Sequence, residues 1–182
     1  MVGLFKEPGL LDCPSMQRTS FADMGCSIAR TLEVAGEWWT PLILRDVYLG
    51  IDRFDDLQRD LGISRKVLTQ RLEHLVAHGI LQRRPYQQHP VRHRYLLTDK
   101  GQDLVPVLFA LMAWGDRWAA GRDGPPMRLR HHRCGQRTTP QVTCANCGQQ
   151  LALEDVTVEA GPGGHAGPGT QVIADRLQPR DA

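Results

Sequence analysis

The 182-residue sequence contains no uninterrupted apolar run near the ~20 residues that a membrane-spanning helix requires. Its first residues hold one lysine, Lys6, followed directly by Glu7 and Pro8, and lack the continuous apolar core of a signal peptide. These two absences predict a cytoplasmic protein without membrane contact, whose cysteines are kept reduced.

Cysteine is scarce and its number, five, is odd: Cys13, Cys26 and a cluster of three, Cys134, Cys144 and Cys147. This argues against a disulfide scaffold and favours reactive or metal-binding thiols. The sequence also lacks a glycine-rich loop for phosphate and a carboxylate–histidine constellation with catalytic spacing, so we expect no enzyme. A thiol oxidoreductase or zinc-dependent enzyme that uses the cysteine cluster remains the alternative.

Positive charge is concentrated between Ser64 and Arg94. This stretch has seven Lys or Arg residues against the single acid Glu73, a local charge of +6 in a chain whose total is +2, so the rest carries −4. A basic helix followed by a basic hairpin is typical of proteins that bind double-stranded DNA. The alternative is that these charges form only a solvated surface.

The order of elements predicts a mainly α, α+β fold with four parts. Residues 1–20 are an N-terminal arm, 21–121 a winged helix-turn-helix domain, 122–158 a small Cys/His-rich appendage, and the Gly/Pro-rich residues 159–182 a disordered tail. A single long helix is expected over 99–120, with an apolar face wide enough to need a second covering surface. Trp38 and Trp39 are expected in the core or at a dimer contact, and we recognise no internal repeat.

The basic stretch itself predicts the helix, the wing and their roles. Ser64 caps a helix, strands are expected over 80–86 and 94–97, and residues 87–93 form the turn between them. The N-terminal residues of such a helix face base edges, where Arg and Lys suit guanine and Gln suits adenine, while wing residues contact phosphates or the minor groove. The candidate DNA-binding residues are Ser64, Arg65, Lys66, Thr69, Gln70, Arg71, Arg92, His93 and Arg94.

A series of short segments between roughly residues 25 and 120 forms a recognisable pattern: Cys26-Ser-Ile-Ala-Arg-Thr-Leu32, Gly36-Glu-Trp-Trp-Thr40, Leu42-Ile-Leu-Arg45, Arg53-Phe54 with Leu57, Ile63-Ser64, Leu68-Thr-Gln-Arg-Leu72, Gly79-Ile-Leu, Tyr95-Leu-Leu-Thr-Asp-Lys-Gly101, and Leu111 with Trp114-Gly115 and Trp118. In these segments and their order, the sequence resembles the HxlR family of bacterial winged-helix transcriptional regulators. The resemblance implies a one-component regulator that is a homodimer through its first and last helices. It also implies an operator with inverted half-sites. We expect the regulator to be switched either by thiol chemistry or by a small ligand between subunits.

Cys26 is a candidate redox-sensing residue. It stands at the start of the first predicted helix, where the helix N-terminus stabilises a thiolate, with Arg30 one turn further on. Several members of the family that the sequence resembles sense oxidants or electrophiles through a cysteine at the matching position. The alternative is an inert, buried thiol. Cys13 is a weaker candidate for a resolving partner.

The appendage contains two pairs of candidate metal ligands at x₂ spacing, His131 with Cys134 and Cys144 with Cys147. Such a set suits one tetrahedral, structural zinc ion with no open coordination position. His132 competes with His131 for the first place, although only His131 has the x₂ spacing. A redox-active Cys144–Cys147 pair and the absence of any metal are the alternatives.

Overall fold

A computed structural model describes residues 20–177 of the chain, so residues 1–19, which include Cys13 and all but the last residue of the predicted arm, and residues 178–182 lie outside the described residues. The elements in chain order are α1 (Ser27–Ala35), α2 (Thr40–Tyr48), α3 (Phe54–Leu61), α4 (Arg65–Ala77), β1 (Leu81–Gln88), β2 (Val91–Leu97), α5 (Asp99–Gln102), α6 (Val105–Trp118), β3 (Leu129–Arg130), β4 (Arg137–Thr138), a 3₁₀ turn (Leu153–Asp155) and α7 (Gln171–Leu177). No helix in this part of the chain is both long and apolar enough to cross a bilayer.

The core lies where α2, α3 and α4 meet the base of the β1–β2 hairpin. Its most deeply buried apolar residues are almost fully removed from solvent: Ile43, Leu44, Leu57, Leu68, Leu72, Leu75, Ile80 and Leu81. Burying such side chains stabilises the fold by about 1.5–3 kcal/mol each. The helices α3 and α4 with the antiparallel β1–β2 pair form a winged helix-turn-helix, which confirms the predicted fold class.

Local chemistry determines both ends of α4. The Ser64 side chain accepts a hydrogen bond from the Val67 backbone N–H at 3.3 Å, as expected of an N-cap. Gly62, which ends α3, and Gly79, which follows α4, have φ of +65° and +67°. Only glycine adopts this conformation freely, so the turns on either side of α4 are set by sequence.

The wing is longer than predicted, because β1 continues to Gln88 and β2 begins at Val91. The ladder passes Pro85, which pairs with His93, and then shifts register at a bulge between Pro85 and Gln87. The bulge accommodates one extra residue in β1 and restores pairing beyond it. The predicted seven-residue turn is therefore reduced to the tip formed by His89 and Pro90.

The predicted single helix over 99–120 is wrong, because the chain forms α5 and α6 with a break at Asp103 and Leu104. Pro106 occupies the first turn of α6, lacks an N–H, and its ring would clash with the carbonyl of Gln102 in a continuous helix. In α5, Gly101 approaches Ile80 so closely that an added Cβ would lie 2.2 Å from the Ile80 carbonyl oxygen.

The Gly/Pro-rich tail also differs from the predicted disorder, because its described part contains α7. Thr170 is buried, and its hydroxyl donates to the His165 carbonyl at 3.1 Å. The backbone and ring of His165 lie against Gly25, just before α1. Composition alone predicted no structure here because the contacts that order this segment come from a part of the chain some 140 residues away.

Candidate nucleic-acid interface

The outer face of α4 presents the four residues that the sequence predicted to read bases. Arg65, Lys66, Thr69 and Gln70 are all exposed in the N-terminal half of the helix, opposite its buried leucines. The side chains of Lys66, Thr69 and Gln70 make no hydrogen bond or ion pair with any residue between 20 and 177. Three of the four side chains are therefore available for an external ligand.

Arg71, which the sequence placed with these residues, has a different environment. It is half-buried, and its Nη2 atom lies 3.1 Å from Oε2 of Glu37 in the loop before α2. Its Nε is buried and has no hydrogen-bond partner within the described part of the chain. This geometry ties α4 to the loop between α1 and α2, so Arg71 is not aligned with the exposed face.

Asp55, in the first turn of α3, joins the helix to the wing. Its Oδ1 lies 3.2 Å from Nη1 of Arg65, and its Oδ2 lies 3.6 Å from Nη1 of Arg92. The Arg65 guanidinium also lies over the ring of Phe54, 4.7 Å from the ring centre, and Nη1 donates to Oε1 of Gln58 at 3.2 Å. One carboxylate thus holds a helix arginine and a wing arginine side by side.

The base of the wing is attached to the loop before α3. The Tyr95 N–H donates to the Asp52 carbonyl at 2.7 Å, and Arg53 and Arg94 form a short antiparallel bridge. Nη1 of Arg94 lies 3.7 Å from Oδ2 of Asp52. These contacts attach the base of the wing to the segment that precedes α3 and hold Arg94 there.

Tyr86 of β1 contacts one arginine from the start of α3 and one from the wing. Its ring lies under the guanidinium of Arg53 at 4.7 Å and near that of Arg94 at 5.9 Å, distances typical of cation–π contacts. His93, the other predicted wing residue, is half-buried beside Arg94.

Sequence reasoning missed the roles of Asp52, Asp55, Arg53 and Tyr86. The sequence did suggest a helix-dipole role for Asp55 in the first turn of α3, and the structure adds its ion pairs. No local pattern announces those pairs, because Asp55 is separated from Arg92 by 37 positions and they meet only through the fold. The one sequence signal that could have predicted these ion pairs is the group of acidic residues directly before the basic stretch.

Cys26 is the N-cap residue of α1 and is partly exposed. It lines a cavity of about 540 Å³ between the start of α1 and the tail, together with Arg30, His165 and residues of α7. Cys26 and Arg30 therefore lie close together, one helical turn apart, as the sequence predicted. The tail, which the sequence did not place here, covers them.

The Cys/His appendage forms two turns, His131–Gly135 and Cys144–Gly148. Nδ1 of His131 lies 3.3 Å from Sγ of Cys134, so the structure selects His131 rather than His132 as the partner of that thiol. In the second turn, hydrogen bonds from the backbone N–H groups of Cys147 and Asn146, with a smaller contribution from the Cys147 side chain, lower the pKa of Cys144. Within residues 20–177, no three acidic, His or Cys side chains already form a cluster that could hold a metal ion.

Two helices expose apolar stripes. On α6 the stripe is Val107, Leu111, Trp114 and Trp118, at steps of three or four residues and 49–65% exposed; on α1 it is Ile28 and Leu32. Helix α1 buries only Ala29. Of the two tryptophans, Trp39 packs against the core, whereas Trp38 is 91% exposed, so a core position for Trp38 is excluded.

The comparisons with known proteins agree with this geometry. The HxlR-like helix-turn-helix family model matches residues 34–123. An uncharacterized HTH-type transcriptional regulator of Mycobacterium tuberculosis, Rv3095, is 46% identical over 139 residues, which cover 76% of this chain and 88% of that protein.

Two solved structures extend the similarity beyond the winged domain. The crystal structure of PA1607, described as a candidate transcription factor, superposes with a TM-score of 0.69 at 36% identity and covers 79% of this chain and 100% of that chain. A second such candidate, PA1374 of Pseudomonas aeruginosa, gives a TM-score of 0.55 at 40% identity over 84% of this chain and 100% of that chain. The chain is a transcriptional regulator that belongs to the HxlR-like helix-turn-helix family, as its sequence predicted.

Proposed function

We propose that this regulator is a homodimer that reads an operator half-site with the exposed face of α4 and holds the DNA backbone with the wing of each subunit. The observation that carries the proposal is the position of Asp55 between Arg65 and Arg92. This carboxylate holds both arginines side by side, which reduces the side-chain entropy that they lose on binding DNA, although its negative charge repels the phosphates and is expected to outweigh that gain. The regulator names of the relatives support a regulatory role over a catalytic one.

The residues divide into two groups by what they would contact. Arg65 and Lys66 suit the O6 and N7 acceptors of guanine, and Gln70 suits the donor–acceptor pair of adenine, in a major groove wide enough for α4. Arg92 and Arg94, on β2, suit phosphate oxygens or the minor groove and carry no base-specific information of their own. Thr69 is the remaining candidate for base contact.

A DNA-binding assay with the sequence upstream of the regulator's own gene tests this division. The Arg65→Ala variant should lose about 1–3 kcal/mol of operator binding and relax specificity, while Arg94→Ala should weaken all sequences alike and flatten the salt dependence. Arg122→Ala, which removes an equal charge from the exposed linker after α6, is the matched control. If the wild-type chain forms no complex even at low salt, the proposal fails.

The apolar stripes of α1 and α6 support a dimer. Exposed tryptophans and leucines aligned on one face are costly in water, and a second copy of the same surface removes them from it. A two-fold dimer would address inverted half-sites separated by about 34–36 Å, one turn of DNA, or a multiple of it. The spacing of footprinted half-sites therefore reports on the dimer directly.

Sedimentation velocity distinguishes the stripe from ordinary exposed apolar residues. Leu111→Glu places a charge in the centre of the α6 stripe and should convert dimers into monomers. Leu153→Glu alters a leucine that is 94% exposed in the appendage, and the dimer should persist. A monomeric wild-type protein, or a dimeric Leu111→Glu variant, would contradict the assembly.

If the regulator responds to an oxidant, Cys26 is the residue through which the oxidant would act. We expect the protein to be cytoplasmic, so that this thiol is reduced until an oxidant appears. Cys26 is partly exposed and lies at the start of α1, which belongs to the proposed dimer surface, so oxidation there would alter the contact between subunits and with it the DNA-binding geometry. The expected result is that peroxide changes operator affinity of the wild type and not of Cys26→Ser. Equal responses of the two proteins would remove Cys26 from the mechanism.

A further inference from the structure

The two turns of the appendage have the same backbone structure. In the first, the His131 N–H donates to the Gln136 carbonyl at 2.9 Å, and the Gly135 N–H donates to the His131 carbonyl at 2.8 Å. In the second, the Cys144 N–H donates to the Gln149 carbonyl at 2.8 Å, and the Gly148 N–H donates to the Cys144 carbonyl at 2.8 Å. The second turn therefore repeats the hydrogen bonds of the first.

A short sequence repeat explains this correspondence. The segments are His131-His-Arg-Cys-Gly-Gln136 and Cys144-Ala-Asn-Cys-Gly-Gln149, so the last three residues are identical and the first is His in one and Cys in the other. Gly135 and Gly148 have φ of +69° and +74°, which other residues adopt only with strain. The expectation that the chain has no internal repeat is thus wrong at this scale.

Each turn brings two metal-ligating side chains together at its mouth. The His131 ring nitrogen approaches the Cys134 sulfur to 3.3 Å. In the second turn, the same backbone hydrogen bonds place Cys144 and Cys147 at the positions that His131 and Cys134 occupy in the first. Imidazole nitrogen and cysteine sulfur are ligands that zinc prefers in structural sites.

The appendage has no apolar core that could account for these defined turns. From residue 122 to residue 169, no side chain is buried, and strands β3 and β4 have only two residues each. Val142, Leu151, Leu153 and Val156 are between 40% and 94% exposed. A unit this small, without a core, requires a cross-link, a metal ion or a partner to be stable.

We propose that the appendage is a zinc-binding unit in which one Zn²⁺ ion joins the two turns through His131, Cys134, Cys144 and Cys147. Three thiols release their protons to solvent, and the neutral imidazole completes a tetrahedral shell without an open position, so the ion is structural. Each turn supplies a preformed pair, and the ion brings the pairs together, so metal binding and docking of the turns are one process. Within residues 20–177 no three such ligands already form one cluster, so the proposal requires the two turns to approach each other when the ion binds.

The matched turns favour zinc over a redox-active dithiol. A dithiol–disulfide couple would use Cys144 and Cys147 and give no reason for the same turn to be built around His131 and Cys134. A shared ion uses both turns in the same way. A disulfide between Cys144 and Cys147 in place of a bound metal ion is therefore one of the results that the experiment must distinguish.

The test uses the full chain, purified without chelator, and measures bound metal by mass spectrometry. The expected result is one zinc ion per chain, together with thiolate-to-metal charge-transfer bands and the intense visible bands of tetrahedral cobalt when Co²⁺ replaces zinc. His131→Ala, Cys134→Ser and Cys144→Ser should lose the ion. The matched controls, His132→Ala and Cys26→Ser, should keep it.

Limited proteolysis supplies a readout that does not depend on variants that fold poorly. Wild-type protein should resist cleavage between residues 129 and 150 and become sensitive when a chelator removes the metal. The proposal is overturned if the wild type takes up neither zinc nor cobalt, if it forms a Cys144–Cys147 disulfide in place of the metal site, or if His132→Ala loses the ion while His131→Ala retains it. Because DNA binding is not measured, these outcomes are independent of the proposed operator.

Discussion

The winged domain and the appendage of this regulator are stabilised in different ways. In the domain, leucines and isoleucines from α2, α3, α4 and the start of the wing are buried against one another and form an apolar core. In the appendage, every side chain from residue 122 to 158 remains at least partly exposed, and regular turns are held by backbone hydrogen bonds. The difference shows that order in a small segment is not by itself a sign of an apolar core.

The largest expected effect on the free energy of unfolding comes from removing a leucine of the core. Leu72→Ala empties a site that is 1% exposed and should lower the free energy of unfolding by about 2–5 kcal/mol, because transfer and cavity costs add. Leu153→Ala, in the appendage, should change it by less than about 0.5 kcal/mol. Urea titration measures both. Equal losses would mean that the appendage shares the core of the domain.

The Ser64 cap tests how much local chemistry adds to that core. Ser64→Ala removes the acceptor for the Val67 N–H at the start of α4 and should cost about 1 kcal/mol of unfolding free energy. Ser64→Asp, which keeps an acceptor and favours the helix dipole, is the control and should keep most of the stability. If Ser64→Asp lowers the free energy of unfolding as much as Ser64→Ala does, then Ser64 contributes through packing and not through its hydrogen bond to the helix.

Asp46 provides a smaller, pH-dependent test within the core. Its side chain is 1% exposed, accepts a hydrogen bond from Nε of Arg45 at 2.7 Å, and leaves Oδ2 without a partner among the described residues. Burial raises its pKa above the ordinary 3.8, although Arg45 opposes the shift. The folded state therefore binds this proton more tightly, and its contribution to stability, complete below pH 3.8, is lost as pH rises through the raised pKa.

The neutral variant Asp46→Asn should remove this dependence. Its unfolding free energy relative to wild type should increase as pH rises from about 4 to 7, because the variant has no buried carboxylate to ionise. Urea titrations at several pH values measure the difference. A difference that stays constant with pH would show that the Arg45 interaction fully compensates the burial of Asp46.

The surface acid Asp55 should have the smallest effect on stability. Exposed ion pairs contribute little, so Asp55→Asn should change the unfolding free energy by less than about 0.5 kcal/mol. It also removes a negative charge between Arg65 and Arg92, and affinity for any DNA sequence should increase, most clearly at low salt. Fluorescence anisotropy measures this, with Asp123→Asn in the exposed linker as the control. Weaker binding would mean that orienting the arginines matters more than the charge removed.

Much of the DNA-binding half could be predicted because its signals are local. The spacing of apolar residues, Ser64 at a helix start, and the glycines at 62 and 79 each act within a few positions. Those signals predicted that α4 begins after Ser64, as it does, and they placed Arg65, Lys66, Thr69 and Gln70 on one exposed face. The prediction was less accurate for the wing, where a bulge near Pro85 extends the pairing, and at Pro106, which interrupts a continuous apolar pattern.

By itself, the sequence determined the fold class, the caps and turns around α4, the positive charge of the interface and the two x₂-spaced ligand pairs, because each depends on neighbours along the chain. Only the tertiary structure decided that Asp55 holds Arg65 and Arg92, that Arg71 turns to Glu37, that the tail covers Cys26, and that His131 rather than His132 faces Cys134. Most of these contacts join residues that are far apart in sequence. Their energies depend on distances in space that no local pattern encodes.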